Sequence, residues 1–309
     1  MVAQKISIVV PVFNSHNFLP ALLQSIDAVK KSEQWNLELV LVDDGSKDDS
    51  ASRIVELAAI YPYIKGIKLS RNFGHQAAVR TGLSFCTGDY IAIIDDDLQD
   101  PPELLSSFFN LLNKGYDVVY GVRKRRKESL FLKLSYNIFY RLLKKLSDTN
   151  MPLDSGDFCV MKKVVVDKML LLNEKNPYLR GIRAWVGFNQ IGLEYDRQKR
   201  TEGESGYTLK KLFKIAIDGI FSFSTFPIRV ITLMGVVGFS LAFCYGIYTL
   251  LTYIFVGISV KGFTSLALLI VFFSSLILIS LGIIGEYISR IYLESKNRPH
   301  TIISEFINF

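Results

Sequence analysis

With 309 residues, half of them apolar, and a mean hydropathy of +0.27, the chain is too long and too apolar for a disordered segment or one minimal domain. Its three cysteines, Cys86, Cys159 and Cys244, are scattered and odd in number, which excludes a disulfide framework and a CxxC metal site. The net charge of +7 comes with no nucleic-acid-binding motif, so nucleic acid is not an expected partner and the charge is assigned to membrane and phosphate.

No basic-then-apolar leader precedes the first strand-like run, KISIVVPVF (5–13), so the domain that follows is expected to stay in the cytoplasm. Residues 17–31 read as a helix and LELVLVDDG (37–45) as a second strand. A helix over 48–61, the strand IKGIKLS (64–70) and a helix over 75–86 come next. The strand DYIAIIDDD (89–97), a helix over 102–112 and the strand DVVYGV (117–122) complete the alternation. Apolar strands alternating with helices predict a parallel sheet covered on both faces, with ligands outside the carboxyl ends of the strands.

Two of those strand ends are acidic. Asp43 and Asp44, before a turn at Gly45, can accept hydrogen bonds from a nucleobase N–H or from ribose hydroxyls; an acidic turn with a helix cap near Asp48 accounts for the same residues. There is no GxGxxG after the first strand and no Walker A loop, so a dinucleotide or P-loop fold has no support. At the fourth strand, Asp95, Asp96 and Asp97 stand side by side. Asp100-x-x-Glu103, with Pro101 or Pro102 near the first helical position, reads as a capping box. Capping does not explain three adjacent carboxylates; a hard divalent cation bridged to phosphates does. His16, His75 and His300 are dispersed and give no zinc site.

The segment 121–145, GVRKRRKESLFLKLSYNIFYRLLKK, predicts an interfacial helix near 129–146 with a basic face. Later, YDRQKRTEGESGYTLKKL (195–212) is a basic loop running into an amphipathic helix over 207–227. Residues 230–260 and 262–285 contain no Asp, Glu, Lys or Arg, and each is long enough to span a bilayer, giving spans at 228–257 and 263–285. Arg229 precedes the first span, Arg290, Lys296 and Arg298 follow the second, and only Lys261 lies between. That asymmetry puts both ends in the cytoplasm, with 286–309 as a cytoplasmic tail.

The order PVFN (11–14), VDDGSKD (42–48), RNFGHQAA (71–78) and DDDLQDPPE (95–103) resembles the inverting nucleotide-sugar glycosyltransferases of family 2. SGDFCVM (155–161), an R-x-x-R-x-x-G-x-S stretch, the two spans and GEYISRIYLESKNRP (285–299) resemble its polyprenyl-phosphate branch, the GtrB-like bactoprenol glucosyltransferases, related to dolichol-phosphate mannose synthase. The resemblance implies a GT-A fold over 1–206, Rossmann-like with a mixed, mostly parallel sheet, plus two C-terminal transmembrane helices. It implies that Pro11, Asp43 and Asp44 line a uracil and ribose pocket, that Asn14 helps bind the nucleotide sugar, and that Asp96 lies nearer the ribose or sugar. Asp95, Asp97 and Gln99 would hold Mg²⁺ or Mn²⁺ on the diphosphate. Arg197, Arg200, Ser205 and Tyr207 match a loop that closes on the diphosphate, with Gly206 where the family pattern has lysine. Asp157 and Asp97 are the implied catalytic carboxylates, Asp157 as a base or as a positioning group. Arg123 and Lys133 are candidates for an acceptor phosphate. The implied reaction moves a hexose, glucose from UDP-glucose first, to undecaprenyl phosphate at the cytoplasmic face of a bacterial inner membrane, by a homo-oligomer, a tetramer. GDP-mannose and UDP-amino-sugars are the alternative donors. A processive synthase is disfavoured by the lack of a QxxRW segment, and a nucleotide-sensing scaffold by the retention of Asp95, Asp97, Gln99 and Asp157 together.

Overall fold

The structure, a computed structural model, describes residues 4–123, 155–172, 174, 178–196, 226–256 and 262–309. The chain divides into two units. One comprises Met1–Lys144, Thr149–Tyr207 and Arg298–Phe309; the other comprises Lys145–Asp148 and Thr208–Asn297. The expected interfacial helix near 129–146 and amphipathic helix over 207–227 lie outside the described residues.

The first unit is an α/β sandwich. Strand β1 (Lys5–Val12) is buried along its length except at Lys5, as a strand covered on both faces must be. Helix α1 (Leu19–Ser32) starts with Pro20 in its first turn, ends on Lys30 and Lys31, and turns Leu19, Leu22, Leu23, Ile26 and Val29 inward. Strand β2 (Asn36–Asp43), helix α2 (Ser50–Ile60), strand β3 (Ile64–Leu69), helix α3 (His75–Phe85) and strand β4 (Tyr90–Ile93) follow. Helix α4 (Leu104–Asn113), strands β5 (Val118–Arg123) and β6 (Ser155–Lys162), helices α5 (Lys163–Leu171) and α6 (Leu179–Trp185) and strand β7 (Gln190–Tyr195) complete the main run.

The sheet order is β7-β5-β6-β4-β1-β2-β3, with an eighth strand beyond β3. Strands β1–β4 are mutually parallel, β5 is parallel to β7, and β6 runs antiparallel between β4 and β5. Residues of α1, α2 and α4 form the core on one face, and residues of α3, α5 and α6 that on the other. Helix α3 lies tightly on the sheet: a Cβ at Gly82 would stand 2.4 Å from Val9 Cγ1, so no side chain fits there. At the end of the strands opposite the acidic ones, Glu38 is only 3% exposed. Its carboxylate accepts from Ser7 Oγ (2.6 Å) and Thr87 N (2.9 Å) and pairs with Lys65 (3.0 Å) and Lys5 (3.3 Å).

Two readings of the sequence need correction here. Asp100 and Glu103 form no capping box: α4 begins at Leu104 with Glu103 as its N-cap, in helical backbone conformation and without a side-chain cap. The Asp100 carboxylate instead accepts the Tyr195 hydroxyl. Nor is 286–309 simply a tail. The second long helix runs through to Ser295, and strand β8 (Ile303–Ile307) then adds antiparallel to β3, with Gly66 opposite Ile307 and Lys68 opposite Glu305. Ser70 N donates to Ile302 O (2.9 Å), Asn308 Nδ2 to Ile64 O (2.8 Å), and Thr81 and Thr301 share a hydrogen bond of 2.7 Å. Phe306 and Phe309 pack edge-on to each other at 4.9 Å and against Phe85 of α3 at 5.2 and 5.7 Å. The residue pattern alone gave no strand because ISEFI is short and neither strictly alternating nor wholly apolar.

In the second unit, α7 (Phe226–Val256) and α8 (Phe263–Ser295) are 31 and 33 residues long, beyond the roughly 20 needed to cross a bilayer. Val230–Tyr248 and Phe272–Ser295 meet the length and composition of membrane spans. Many of their described large apolar side chains face outward, Phe239 at 71% and Leu278 at 70% exposure, which a water-soluble core helix would not do. The chain is membrane-associated, and lipid is the solvent that suits this surface.

Candidate active site

The acidic strand ends meet because β1 lies between β2 and β4. Val12 is opposite Asp43 in register, Val9 is opposite Ile93, and Asp44 N donates to Val12 O at 2.8 Å. Pro11 is buried in β1 beside Val42. Asn14, in the left-handed region at φ +53°, holds the next loop: its Oδ1 accepts Lys47 N (2.8 Å) and its N donates to Ser46 Oγ (3.0 Å). Asp43 and Asp44 are both buried, and burial pushes both carboxyls above their ordinary range. Asp43 Oδ1 accepts Ser46 N (3.2 Å), while its Oδ2 is buried with no hydrogen-bond partner. Asp44 accepts Phe73 N (2.7 Å) and Gly74 N (2.9 Å), which anchors the RNFG loop. Gly45, at φ +65°, lets that loop pass: a Cβ would stand 2.5 Å from the Arg71 carbonyl carbon.

After β4 the chain turns through Asp95–Asp97 and reverses at Leu98, which has φ +57°. Asp96 Oδ2 accepts Phe13 N at 3.4 Å, which ties this turn to the β1 loop. Asp97 Oδ1 accepts the N–H of the largely buried Gln99 at 3.2 Å. Asp95 faces His75, whose Nε2 lies 3.7 Å from Asp95 Oδ1 and 3.5 Å from Asp157 Oδ2. Burial pushes the Asp95 carboxyl up to about 6; Asp157, Asp100 and Asp97 push the same way, and His75 opposes them. The His75 side chain is 43% exposed on one side and hemmed by protein on the other. Desolvation lowers its pKa, but the hydrogen bond to Asp157 and the charges of Asp95 and Asp157 raise it overall to about 9.

Asp157 meets three side chains, those of Arg180, Gln76 and His75. Arg180 Nε donates to Oδ1 (2.8 Å) and Arg180 Nη2 to Oδ2 (2.7 Å), and Gln76 Nε2 approaches Oδ2 at 3.4 Å. Burial would raise its pKa, but the charge and hydrogen bonds of Arg180, with those of His75, hold it well below the usual carboxylate range. Farther along the sheet, Arg123 at the end of β5 is in register with Tyr195 at the end of β7. Burial works against its charge, but the Tyr195 side chain and Asp100 raise its pKa overall, and its Nε is buried without a partner.

Among the described residues, no group of three or more His, Cys, Asp and Glu side chains is arranged to hold a metal ion. The donor set of Asp95, Asp97 and Gln99 nonetheless fits Mg²⁺ or Mn²⁺. Such a hard ion takes one or two carboxylates and completes its shell with phosphate oxygens and water. Of the residues expected from sequence, the fold brings Pro11, Asn14, Asp43, Asp44, Asp95–Asp97, Gln99, Asp157 and Arg123 to one end of the sheet. Lys133, Arg197, Arg200, Ser205 and Tyr207 lie outside the described residues. The sequence pattern assigns no site role to Gln76 or Arg180, and to His75 only the absence of a zinc site. His75 and Gln76 sit within a motif quoted only for its resemblance, and Arg180 gives no local signal, since it matters only by meeting a carboxylate 23 residues away.

Residues 7–170 match the family described as glycosyl transferase family 2, and residues 226–291 match the GtrB C-terminal hairpin. An uncharacterized glycosyltransferase of Bacillus subtilis (strain 168), YkcC, is 42% identical over 300 residues, covering 97% of this chain and 93% of that protein. A prophage bactoprenol glucosyl transferase homolog of Escherichia coli (strain K12) is 38% identical, covering 97% of this chain and 98% of its own. The bactoprenol glucosyl transferase of Shigella phage SfX matches with the same figures. Among solved structures, the mannosyltransferase PcManGT from Pyrobaculum calidifontis, in complex with GDP-Man and Mn²⁺, superposes with a TM-score of 0.50 at 18% identity. That match covers 70% of this chain and 61% of the other, and it shows a shared fold.

Proposed function

Because the chain belongs to glycosyl transferase family 2 and carries the GtrB C-terminal hairpin, we propose that it transfers glucose from UDP-glucose to undecaprenyl phosphate, with anomeric inversion, at the cytoplasmic face of a bacterial inner membrane. The observation that carries this reading is the state of Asp157. An alcohol acceptor needs a base, and a carboxylate gripped by Arg180 is a poor one. A lipid phosphate has a second pKa of about 6, is already largely dianionic at neutral pH, and needs orientation more than deprotonation.

The other roles follow from the strand ends. The buried, unfilled Oδ2 of Asp43 supports contact with a nucleobase N–H or a ribose hydroxyl. Asp44 and Asn14 hold the loops that shape that pocket, with Pro11 as its wall and Asp96 near the ribose or sugar. Asp95 and Asp97, with Gln99, would hold Mg²⁺ or Mn²⁺, which when bound neutralises the charge growing on the departing diphosphate. Mn²⁺ beside a nucleotide sugar in the PcManGT structure supports that choice of ion. Arg197, Arg200, Ser205 and Tyr207 are proposed to close on the diphosphate, and Arg123 and Lys133 to meet the acceptor phosphate.

The test is transfer itself. Purified protein is incubated with undecaprenyl phosphate, Mg²⁺ or Mn²⁺ and a panel of radiolabelled nucleotide sugars, beside an Asp97→Asn variant. Label should enter the lipid fraction from UDP-glucose, and the variant or a chelator should abolish it. Label from GDP-mannose or a UDP-amino-sugar instead would change the donor and keep the class. Nucleotide binding with no lipid label from any donor would sink the lipid-phosphate reading.

A further inference from the structure

Three elements converge on one carboxylate. Asp157 belongs to β6, Arg180 is the second residue of α6, and His75 and Gln76 open α3. Arg180 approaches as a fork, one nitrogen to each oxygen, at 2.8 and 2.7 Å. Gln76 bridges the same group: its Nε2 lies 3.4 Å from Asp157 Oδ2, and its Oε1 accepts Leu179 N at 3.0 Å, which fixes the start of α6. The pair is shielded, with the Asp157 side chain 9% exposed and that of Arg180 29%. Through His75 it also touches Asp95, so it is a part of the site's wall and not a remote brace.

We propose that Arg180 is a positioning residue for the transfer reaction, acting through Asp157: its fork fixes the carboxylate in one orientation and makes it a hydrogen-bond acceptor instead of a proton acceptor. A guanidinium cannot lose its proton in a protein, so the pair holds no proton to relay. Two parallel hydrogen bonds remove the carboxylate's rotation, which one bond from an ammonium would not. The lone pairs left on Asp157 are then aimed, and a sugar hydroxyl is the donor chemistry that suits them. This inference rests on the glycosyl-transfer reading above.

The test is a double-mutant cycle in the full-length protein: Arg180→Gln, Arg180→Lys, Asp157→Asn and Arg180→Gln/Asp157→Asn. Transfer to undecaprenyl phosphate gives kcat and donor KM, and calorimetry gives UDP binding on the same preparations. Arg180→Gln should lower kcat roughly 10- to 100-fold with donor KM within about threefold. Asp157→Asn should fall by a similar factor, and the double variant no further than the weaker single, because the two residues act as one unit. Arg180→Lys should recover part of the loss and not all of it. An Arg180→Gln kcat within twofold of wild type, or losses that multiply in the double variant, would overturn the inference. If Arg180→Gln has lost UDP binding and so has not folded, Arg180→Lys decides: full kcat there means charge alone suffices and the inference fails. A wild-type protein that transfers nothing to lipid phosphate is a different result, which removes the underlying reading instead.

Discussion

Asp43 and Asp44 are chain neighbours that face opposite tasks: Asp44 has both oxygens on the backbone N–H groups of Phe73 and Gly74, while Asp43 keeps one buried oxygen unfilled. Replacing them should therefore have different consequences. Asp43→Ala is expected to weaken UDP binding by roughly 10- to 100-fold, the loss of one hydrogen bond to a charged acceptor, with little change in melting temperature. Asp44→Ala strands two loop N–H groups and should cost about 2–4 kcal/mol of stability before any effect on binding is read. Calorimetry with UDP beside thermal unfolding separates the two. Equal melting temperatures for both variants would contradict this division.

Glu38 gives a pH prediction. Burial alone would raise its pKa, but the hydrogen bonds from Ser7, Thr87 and Lys65 outweigh that and bring it from the ordinary 4.5 to about 2. A depressed carboxylate stabilises the fold above its unfolded pKa, and that contribution fades as pH falls through the folded value. The shift corresponds to roughly 3 kcal/mol at neutral pH. Glu38→Gln should melt roughly 5–10 °C below wild type at pH 7, and the gap should narrow between pH 4.5 and pH 2. A gap that stays constant across that window would mean that Glu38 packs but does not titrate.

Strand β8 should be needed for stability. Deleting residues 302–309 removes the antiparallel partner of β3, uncovers Phe85 and leaves an open sheet edge. We expect melting to fall by more than about 5 °C and light scattering to rise on heating. Thr301→Val, which breaks only the hydrogen bond to Thr81, should cost about 1 kcal/mol.

The cysteines report on burial and on lipid. Cys86 and Cys159 are buried with thiols pushed up by that burial, Cys86 to about 12, so neither should react in the folded chain. Cys244 is exposed on α7 within the first candidate span. In intact membranes a charged maleimide should label none of the three thiols, and in denaturant all three should react, as mass spectrometry would show. Labelling of Cys244 by the charged reagent would place that face of α7 in water.

Much of this was legible in the sequence. Strands β1–β5 and the helices between them fell within a few residues of the periodic runs, because strands buried on both faces are mostly apolar. The acidic strand ends stood out because adjacent like charges need a cause. Arg180 and Gln76 could not be seen in this way: their partner, Asp157, is near only after β6 and α6 pack together. Asp100 misled for the opposite reason. Its local spacing satisfied a capping rule, but a buried tyrosine hydroxyl offered the carboxylate a tertiary partner instead.

The pairing of β8 with β3 also constrains how the chain can be threaded. The hairpin of α7 and α8 is an excursion from one sheet: the polypeptide departs after β7 and must come back to hydrogen-bond along the edge of the same domain. A path that departs from and returns to one compartment crosses any boundary an even number of times. If the candidate spans cross a bilayer, the parity of their crossings is thus written into a β-ladder made of Gly66, Lys68, Glu305 and Ile307. An insertion that added a single further span could be accommodated only by tearing that ladder apart.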